Sequence, residues 1–160
     1  MPIKLNIVAF FSAFVLLTSC TGQTTTQQAK TDNSVKGDVV PELGRSIMVI
    51  YQDNKNTYWF GSWETGVYKY DGKTLINYTT KHGLPNNRID EIQEDESGNV
   101  YFTSCHPNST ITKFDVNTFT TLLATPSTEW QLTSTDLWFR HSYGNEKVYR
   151  YDGTTLQELQ

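Results

Sequence analysis

The chain has 160 residues, 37% of them hydrophobic and 13% aromatic, with a formal charge of −4. This length holds roughly one domain, and the aromatic, β-branched character favours sheet over helix. The negative charge and the lack of any basic cluster argue against a nucleic-acid partner, since binding phosphate needs a concentrated Lys/Arg surface.

At the N-terminus, Lys4 precedes an apolar run from Ile7 to Leu17. A run this short falls below the roughly 20 residues needed to cross a bilayer and fits the apolar region of a secretory signal. It ends in Leu17-Thr18-Ser19-Cys20, which resembles the lipobox of bacterial lipoproteins, with a branched apolar residue, two small residues and then cysteine. The resemblance implies that residues 1–19 are a signal peptide cleaved before Cys20. It further implies a diacylglyceryl thioether on the Cys20 sulfur and acylation of its new amino group. Two or more acyl chains anchor a protein durably where one binds only marginally. The expected location is therefore the bacterial cell envelope, with the membrane as a partner and Cys105 left as a lone thiol. Ordinary signal cleavage nearby, with Cys20 as a free thiol, is the alternative. Residues 20–44 are rich in Thr, Gln, Asn and Ser and read as a flexible tether, because they bury too little apolar surface to offset the entropy of ordering, with Val39-Val40-Pro41 as a candidate lead into the folded part.

From residue 45 onward the chain repeats itself. Tyr58-Trp59-Phe60-Gly61 leads to Gly66-Val67-Tyr68-Lys69-Tyr70-Asp71-Gly72. Val100-Tyr101-Phe102-Thr103 leads to Ile111-Thr112-Lys113-Phe114-Asp115, and Leu137-Trp138-Phe139-Arg140 leads to Lys147-Val148-Tyr149-Arg150-Tyr151-Asp152-Gly153. Each repeat reads as four antiparallel strands. The first comprises Ser46 to Tyr51, Tyr58 to Ser62, Val67 to Tyr70 and Thr74 to Thr79. The second comprises Arg88 to Gln93, Val100 to Ser104, Thr110 to Asp115 and Phe119 to Leu123. The third comprises Glu129 to Leu132, Leu137 to His141, Lys147 to Tyr151 and Thr155 to Leu159. Four strands per roughly 40–45 residues is the period of a β-propeller blade. The expected fold is all-β, a partial propeller of three four-stranded antiparallel blades at about 45–84, 85–125 and 126–160. A β-sandwich with chance repetition is the competing reading.

The stretch from Leu84-Pro85-Asn86-Asn87 through Asp95-Glu96-Ser97-Gly98-Asn99 to Val100-Tyr101-Phe102-Thr103 resembles the two-component-regulator propeller repeat. The first repeat matches through Gln52-Asp53, Trp59-Phe60-Gly61-Ser62 and Gly66-Val67-Tyr68-Lys69-Tyr70-Asp71. Departures fall at Tyr101, Thr103, Cys105-His106-Pro107 and the start of the third repeat. The resemblance implies an extracytoplasmic sensor propeller, a kind often joined to a membrane helix and histidine kinase and often sensing glycans. Three blades make an open arc, and closure is what removes sheet edges. The chain is therefore a truncated remnant of a longer sensor propeller, a unit that self-associates to complete a ring, or an open β array.

In a propeller, the loops joining second to third strands and those joining successive blades open on one face. That face would gather Trp63, Glu64, His82, Arg88, Cys105, His106, Asn108, Arg140, His141, Tyr143 and Asn145. As a binding site it offers Trp63 and Tyr143 as stacking platforms for a glycan, with Arg88 and Arg140 orienting polar or anionic groups. A protein ligand is the other candidate. As an enzyme it would be a lyase or hydrolase acting on glycans or macrolactones, with a histidine as general base and Glu64 or a metal assisting. No two histidines share a metal-ligand spacing and no loop carries a carboxylate pair, so binding without catalysis, cofactor or metal is the expectation. Cys105 and His106 are neighbours whose side chains point to opposite faces of a strand end, and Cys105 reads as a small structural residue. The Asp-Gly turns at Asp71 and Asp152 read as hairpin turns, not calcium loops.

Overall fold

Short aromatic and β-branched runs, several of them closed by an aspartate-led turn, fold into three separate sheets. The computed structural model describes residues 34–106, 108–128, 131–141 and 146–160. The expected signal peptide, Cys20, most of the expected tether, Tyr143 and Asn145 lie outside the described residues.

Sheet I holds β1 (Asp38–Val39), β2 (Ile47–Gln52), β3 (Tyr58–Ser62), β4 (Val67–Tyr70) and β5 (Leu75–Tyr78), in the order β1-β5-β4-β3-β2. Sheet II holds β6 (Glu91–Glu94), β7 (Val100–Ser104), β8 (Thr110–Phe114) and β9 (Phe119–Leu122) in chain order. Sheet III holds β10 (Ala124–Ser127), β11 (Leu137–His141), β12 (Lys147–Tyr151) and β13 (Leu156–Leu159), ordered β10-β13-β12-β11. Neighbouring strands are antiparallel except β10, which runs parallel to β13. The all-β class thus stands, and the sheets are compatible with blades. None of them closes on itself.

Two expectations need correction. Part of the stretch assigned to the tether is built into the fold. Asp38 and Val39 pair with Asn77 and Ile76, Val35 donates to the Asn117 carbonyl at 2.6 Å, and its side chain packs against the core between sheets I and II. The third repeat also departs from the meander. Of the run Glu129 to Leu132, the described residues 131 and 132 are not strand. Gln131 and Leu132 are both exposed. The Gln93 side chain donates to the Trp138 carbonyl at 2.6 Å. The fourth strand of sheet III is β10, on the outer edge.

The first turn of each of the first two repeats follows one design. Asp53 Oδ1 accepts from the backbone of Lys55 and Thr57, and Oδ2 accepts from Trp59 Nε1 at 2.9 Å. Asp95 Oδ1 accepts from Ser97 and Asn99, and Oδ2 accepts from the Tyr101 hydroxyl at 2.8 Å. The residue before each closing pair takes left-handed backbone, Asn56 at φ 61 and Gly98 at φ 80, which Asn and Gly adopt most readily.

Between the sheets, aromatic contacts recur in register. The Trp59 ring packs on Phe102 and Phe114 of sheet II, with centroids 5.5 and 5.6 Å apart. One sheet further, Tyr101 packs on Phe139 and Tyr151 of sheet III at 6.1 and 5.3 Å. Two cores result, one centred on Trp59, Phe102 and Phe114 and one on Tyr101, Phe139 and Tyr151. Gly61 is closely packed, since a Cβ there would lie 2.6 Å from both Ile89 and Val49.

Candidate functional site

The loop after β3 and the entry to β6 are tied together by backbone bonds. Gly66 donates to the Asn87 carbonyl at 2.8 Å, and Ile89 donates to the Ser62 carbonyl at 2.8 Å. This pinning sets Trp63 and Glu64 beside Asn86, Asn87 and Arg88, and His106 from the loop after β7 completes the wall. The depression encloses about 330 Å³, within the range of small-ligand sites. Four of the sequence-predicted residues, Trp63, Glu64, Arg88 and His106, therefore share one site.

Arg88 is its best-defined member. Its guanidinium carbon lies 3.8 Å from the centroid of the Trp63 ring, a cation–π stack. Its Nε donates to Asp90 Oδ1 at 2.7 Å, and both side chains of that ion pair are about 15% exposed. Asp90 is itself fixed, because its Oδ2 accepts from the Cys105 backbone at 2.7 Å. The guanidinium is thus held on one face and one edge, while Nη1 and Nη2 have no partner among the described residues. Asn86 braces the loop, donating to the His106 carbonyl and accepting from the Arg88 backbone. Asn87 Oδ1 accepts from the Thr80 backbone at 2.8 Å. Exposed Glu64 makes no bond to the described residues.

The other predicted residues fall elsewhere. His82 belongs to the single turn of 3₁₀ helix, Thr80–His82. Its Nδ1 accepts from the Thr79 backbone at 3.0 Å, its Nε2 lies 3.6 Å from Asp38 Oδ2, and its ring meets Tyr78 edge-on. It closes a helix cap and lines neither depression. Arg140 and His141 line a second depression of about 310 Å³ between sheets II and III, together with Cys105 and Ser109. Arg140 pairs with Glu146 at 3.3 Å, both exposed. Ser109 Oγ and His141 Nδ1 are 2.6 Å apart, a geometry in which an imidazole can take a hydroxyl proton. Among the described residues no carboxylate bonds the other ring nitrogen, the role that orients such a base. Cys105 is buried and forms no disulfide among the described residues, and it lines a different depression from His106.

Sequence reasoning missed Asp90, Asn86, Asn87 and Ser109. Asp90 was within reach, because residues two apart on an extended strand share a face and Arg88 and Asp90 are so spaced. Ser109 carries no local signal. The chain matches no family model, no curated protein and no solved structure.

Proposed function

We propose that the chain is a lipid-anchored, propeller-type binding module of the bacterial cell envelope, sensor-like and non-catalytic, that recognises a neutral glycan at the Trp63–Arg88 depression. The observation that carries this reading is the Arg88 guanidinium, clamped between Trp63 and Asp90 with its two terminal nitrogens directed to no other described residue. Asp90 balances the charge of Arg88, and Glu64 adds a further negative charge, so Coulomb attraction does not favour an anion. What is left over is a set of hydrogen-bonding groups. Arg88 supplies donors, the Asn87 amide nitrogen another, and the Glu64 carboxylate acceptors. They surround an indole that is 48% exposed. Paired donors and acceptors beside an aromatic face match the hydroxyls and apolar C–H face of a sugar ring.

A glycan array probed with the full chain tests this. Retention of neutral glycans, weakened at least tenfold by Trp63→Ala and by Arg88→Ala, is the expected result. Retention of acidic glycans alone, binding only to protein ligands, or binding indifferent to both substitutions overturns it. The anchor is tested separately by metabolic labelling with an alkynyl fatty acid. Label and membrane association are expected to vanish together in Cys20→Ser, and a labelled Cys20→Ser protein would contradict the anchor.

A further inference from the structure

Sheets II and III turn alternating residues toward each other. On sheet II, Thr103 of β7 stands opposite Ile111 of β8, and Ile111 stands opposite Leu122 of β9. On sheet III, Phe139 and His141 of β11 stand opposite Tyr149 and Lys147 of β12, and Tyr149 stands opposite Glu158 of β13. Directly opposed residues share a face of a sheet, and Ile111, Phe139 and Tyr149 meet in the core between these two. That core is closed at one end, where the Tyr101 and Tyr151 rings lie 5.3 Å apart. At the other end Ser109 Oγ of sheet II comes within 2.6 Å of His141 Nδ1 of sheet III. The cleft of about 310 Å³ lies at this second end, within the range of small-ligand sites.

One wall of the cleft is apolar, built from Ile111, Leu122, Phe139 and Leu156. Its polar lining has hydrogen-bonding capacity to spare. Burial raises the pKa of the Tyr149 phenol, and donation from the Ser109 hydroxyl acts against that rise. Ser109, His141 and Tyr149 are therefore linked by two contacts. Even with a neutral imidazole they carry three hydrogens, so one donor is left over whichever tautomer holds. Glu158 Oε1 accepts from Lys147 at 2.7 Å, and Oε2 makes no bond to the described residues. Thr103 borders the same cleft, 5% exposed, with a hydroxyl that has no partner, and leaving a buried polar group so is costly. Full charges are already matched. Glu158 is paired with Lys147, while Arg140 alternates away from Phe139 and His141 along β11 and pairs with Glu146.

We infer that this cleft is a second binding site, for a small uncharged molecule with an apolar body about the size of one ring and a hydroxyl at one end. The body lies against Ile111, Leu122, Phe139 and Leu156. The hydroxyl accepts the spare hydrogen of the Ser109–His141–Tyr149 group and donates to Glu158 Oε2, which a purely accepting or purely donating group does not satisfy. A carboxylate in its place would meet the like charge of Glu158, and an ammonium would find that carboxylate already neutralised by Lys147. The site shares no lining residue with the Trp63–Arg88 depression and is independent of what binds there.

Photolabelling of the full chain with a diazirine-bearing benzyl alcohol, mapped by peptide mass spectrometry, tests the assignment. Adducts are expected on the strands that line the cleft. Unlabelled benzyl alcohol is expected to compete at no more than one-tenth of the concentration needed with benzoate or benzylamine, and at no more than one-third of that needed with toluene. Ala124 is exposed on β10 and stands beside Leu156, on the side that faces the cleft. Ala124→Trp is therefore expected to cut labelling at least fivefold. Ser109→Ala combined with His141→Ala is expected to bring benzyl alcohol down to the level of toluene. Absence of adducts in the cleft, equal competition by benzoate or benzylamine, labelling unchanged in Ala124→Trp, or a preference over toluene that survives the double substitution each overturns it. Should Ala124→Trp lose the native circular dichroism spectrum, Ala124→Leu takes its place, with the same expected loss.

Discussion

The indole of Trp59 donates to the carboxylate of Asp53, so one side chain both fills the core between two sheets and closes the turn that precedes its own strand. Tyr101 repeats the arrangement with Asp95 through a hydroxyl in place of the indole nitrogen. Two different aromatic residues serve one position because each has a polar atom at its rim and a large apolar body. A phenylalanine there would fill the space and leave the turn unlatched.

Asp53→Ala removes the acceptor for three donors at once, the backbone N–H groups of Lys55 and Thr57 and the Trp59 indole. Asp53, Thr57 and Trp59 are all buried. A buried donor left without a partner costs on the order of 1–3 kcal/mol, so the substitution is expected to lower stability by about 2–4 kcal/mol in urea unfolding. Tyr101→Phe, which deletes a single bond, is expected to cost about 1 kcal/mol. A loss for Asp53→Ala no larger than that for Tyr101→Phe would show that the turn does not depend on its aspartate.

The second hairpin turn contains a residue ill-suited to its backbone. In the third and fourth strands of every repeat, Asp71, Asp115 and Asp152 each accept two backbone N–H bonds from the residues that follow. The position after each aspartate is left-handed, Gly72 at φ 93, Val116 at φ 80 and Gly153 at φ 90. For a β-branched residue this conformation is strained by roughly 1–2 kcal/mol. Val116 is 52% exposed, so little packing compensates. Val116→Gly is expected to stabilise the chain by about 0.5–1 kcal/mol, after part of the relief is offset by the extra freedom of glycine in the unfolded chain. A rise of a few degrees in the thermal midpoint is the readout, and a fall would show that Val116 makes a contact worth more than its strain.

Strands of the first two repeats were legible because the same aromatic and β-branched runs recur with the same turn chemistry, as Trp59-Phe60 and Tyr101-Phe102 illustrate. The edges were not. Asp38–Val39 is too short to carry a period, and Ala124-Thr125-Pro126-Ser127 has no apolar alternation and only Thr125 as a strand-favouring residue. Its proline is tolerated because β10 is an edge strand. The candidate site was half legible. The loops bearing Trp63, Glu64, Arg88 and His106 follow from blade geometry, whereas the Arg88 stack on Trp63 depends on how two repeats abut. His82 lines neither depression, because a residue in a connecting loop can be engaged in capping, as its bond to Thr79 shows.

Gly61 sits where the packing leaves no room for a side chain. A methyl group there meets Ile89 and Val49, and both sit in the core or packed against it. Overfilling a packed core costs typically about 1–3 kcal/mol, so Gly61→Ala is expected to destabilise by that amount. Pairing it with Ile89→Ala, which removes the opposing Cγ2 methyl, is expected to cost less than the sum of the two single effects. A double variant that loses the sum of the two single effects would show that the two sites do not share this space.

The pH dependence should be two-sided. At low pH the aspartates lead. The Arg150 hydrogen bond and ion pair hold Asp136 well below the usual carboxylate range, with the guanidinium bonded at 2.7 and 3.1 Å. Backbone donors in the turns lower Asp71, Asp115 and Asp152. Burial alone would raise Asp95, but its bonds from Asn99 and Tyr101 outweigh that and lower it. In each case the unfolded chain takes up its proton first, so stability is fully present above the ordinary carboxylate pKa near 4 and falls as pH drops through and below it. At high pH the sign reverses. Burial raises Tyr78 and Tyr101, the latter further through its bond to Asp95. Those phenols stay neutral in the fold while the unfolded chain ionises near pH 10, and stability is lost as pH rises beyond that point. Thermal midpoints measured from pH 2.5 to 11 are expected to show a plateau between these limbs. Asp136→Asn should make the acid limb shallower and leave the alkaline limb unchanged, whereas an acid limb of unaltered slope would show that the Arg150–Asp136 pair is not among the groups that set it.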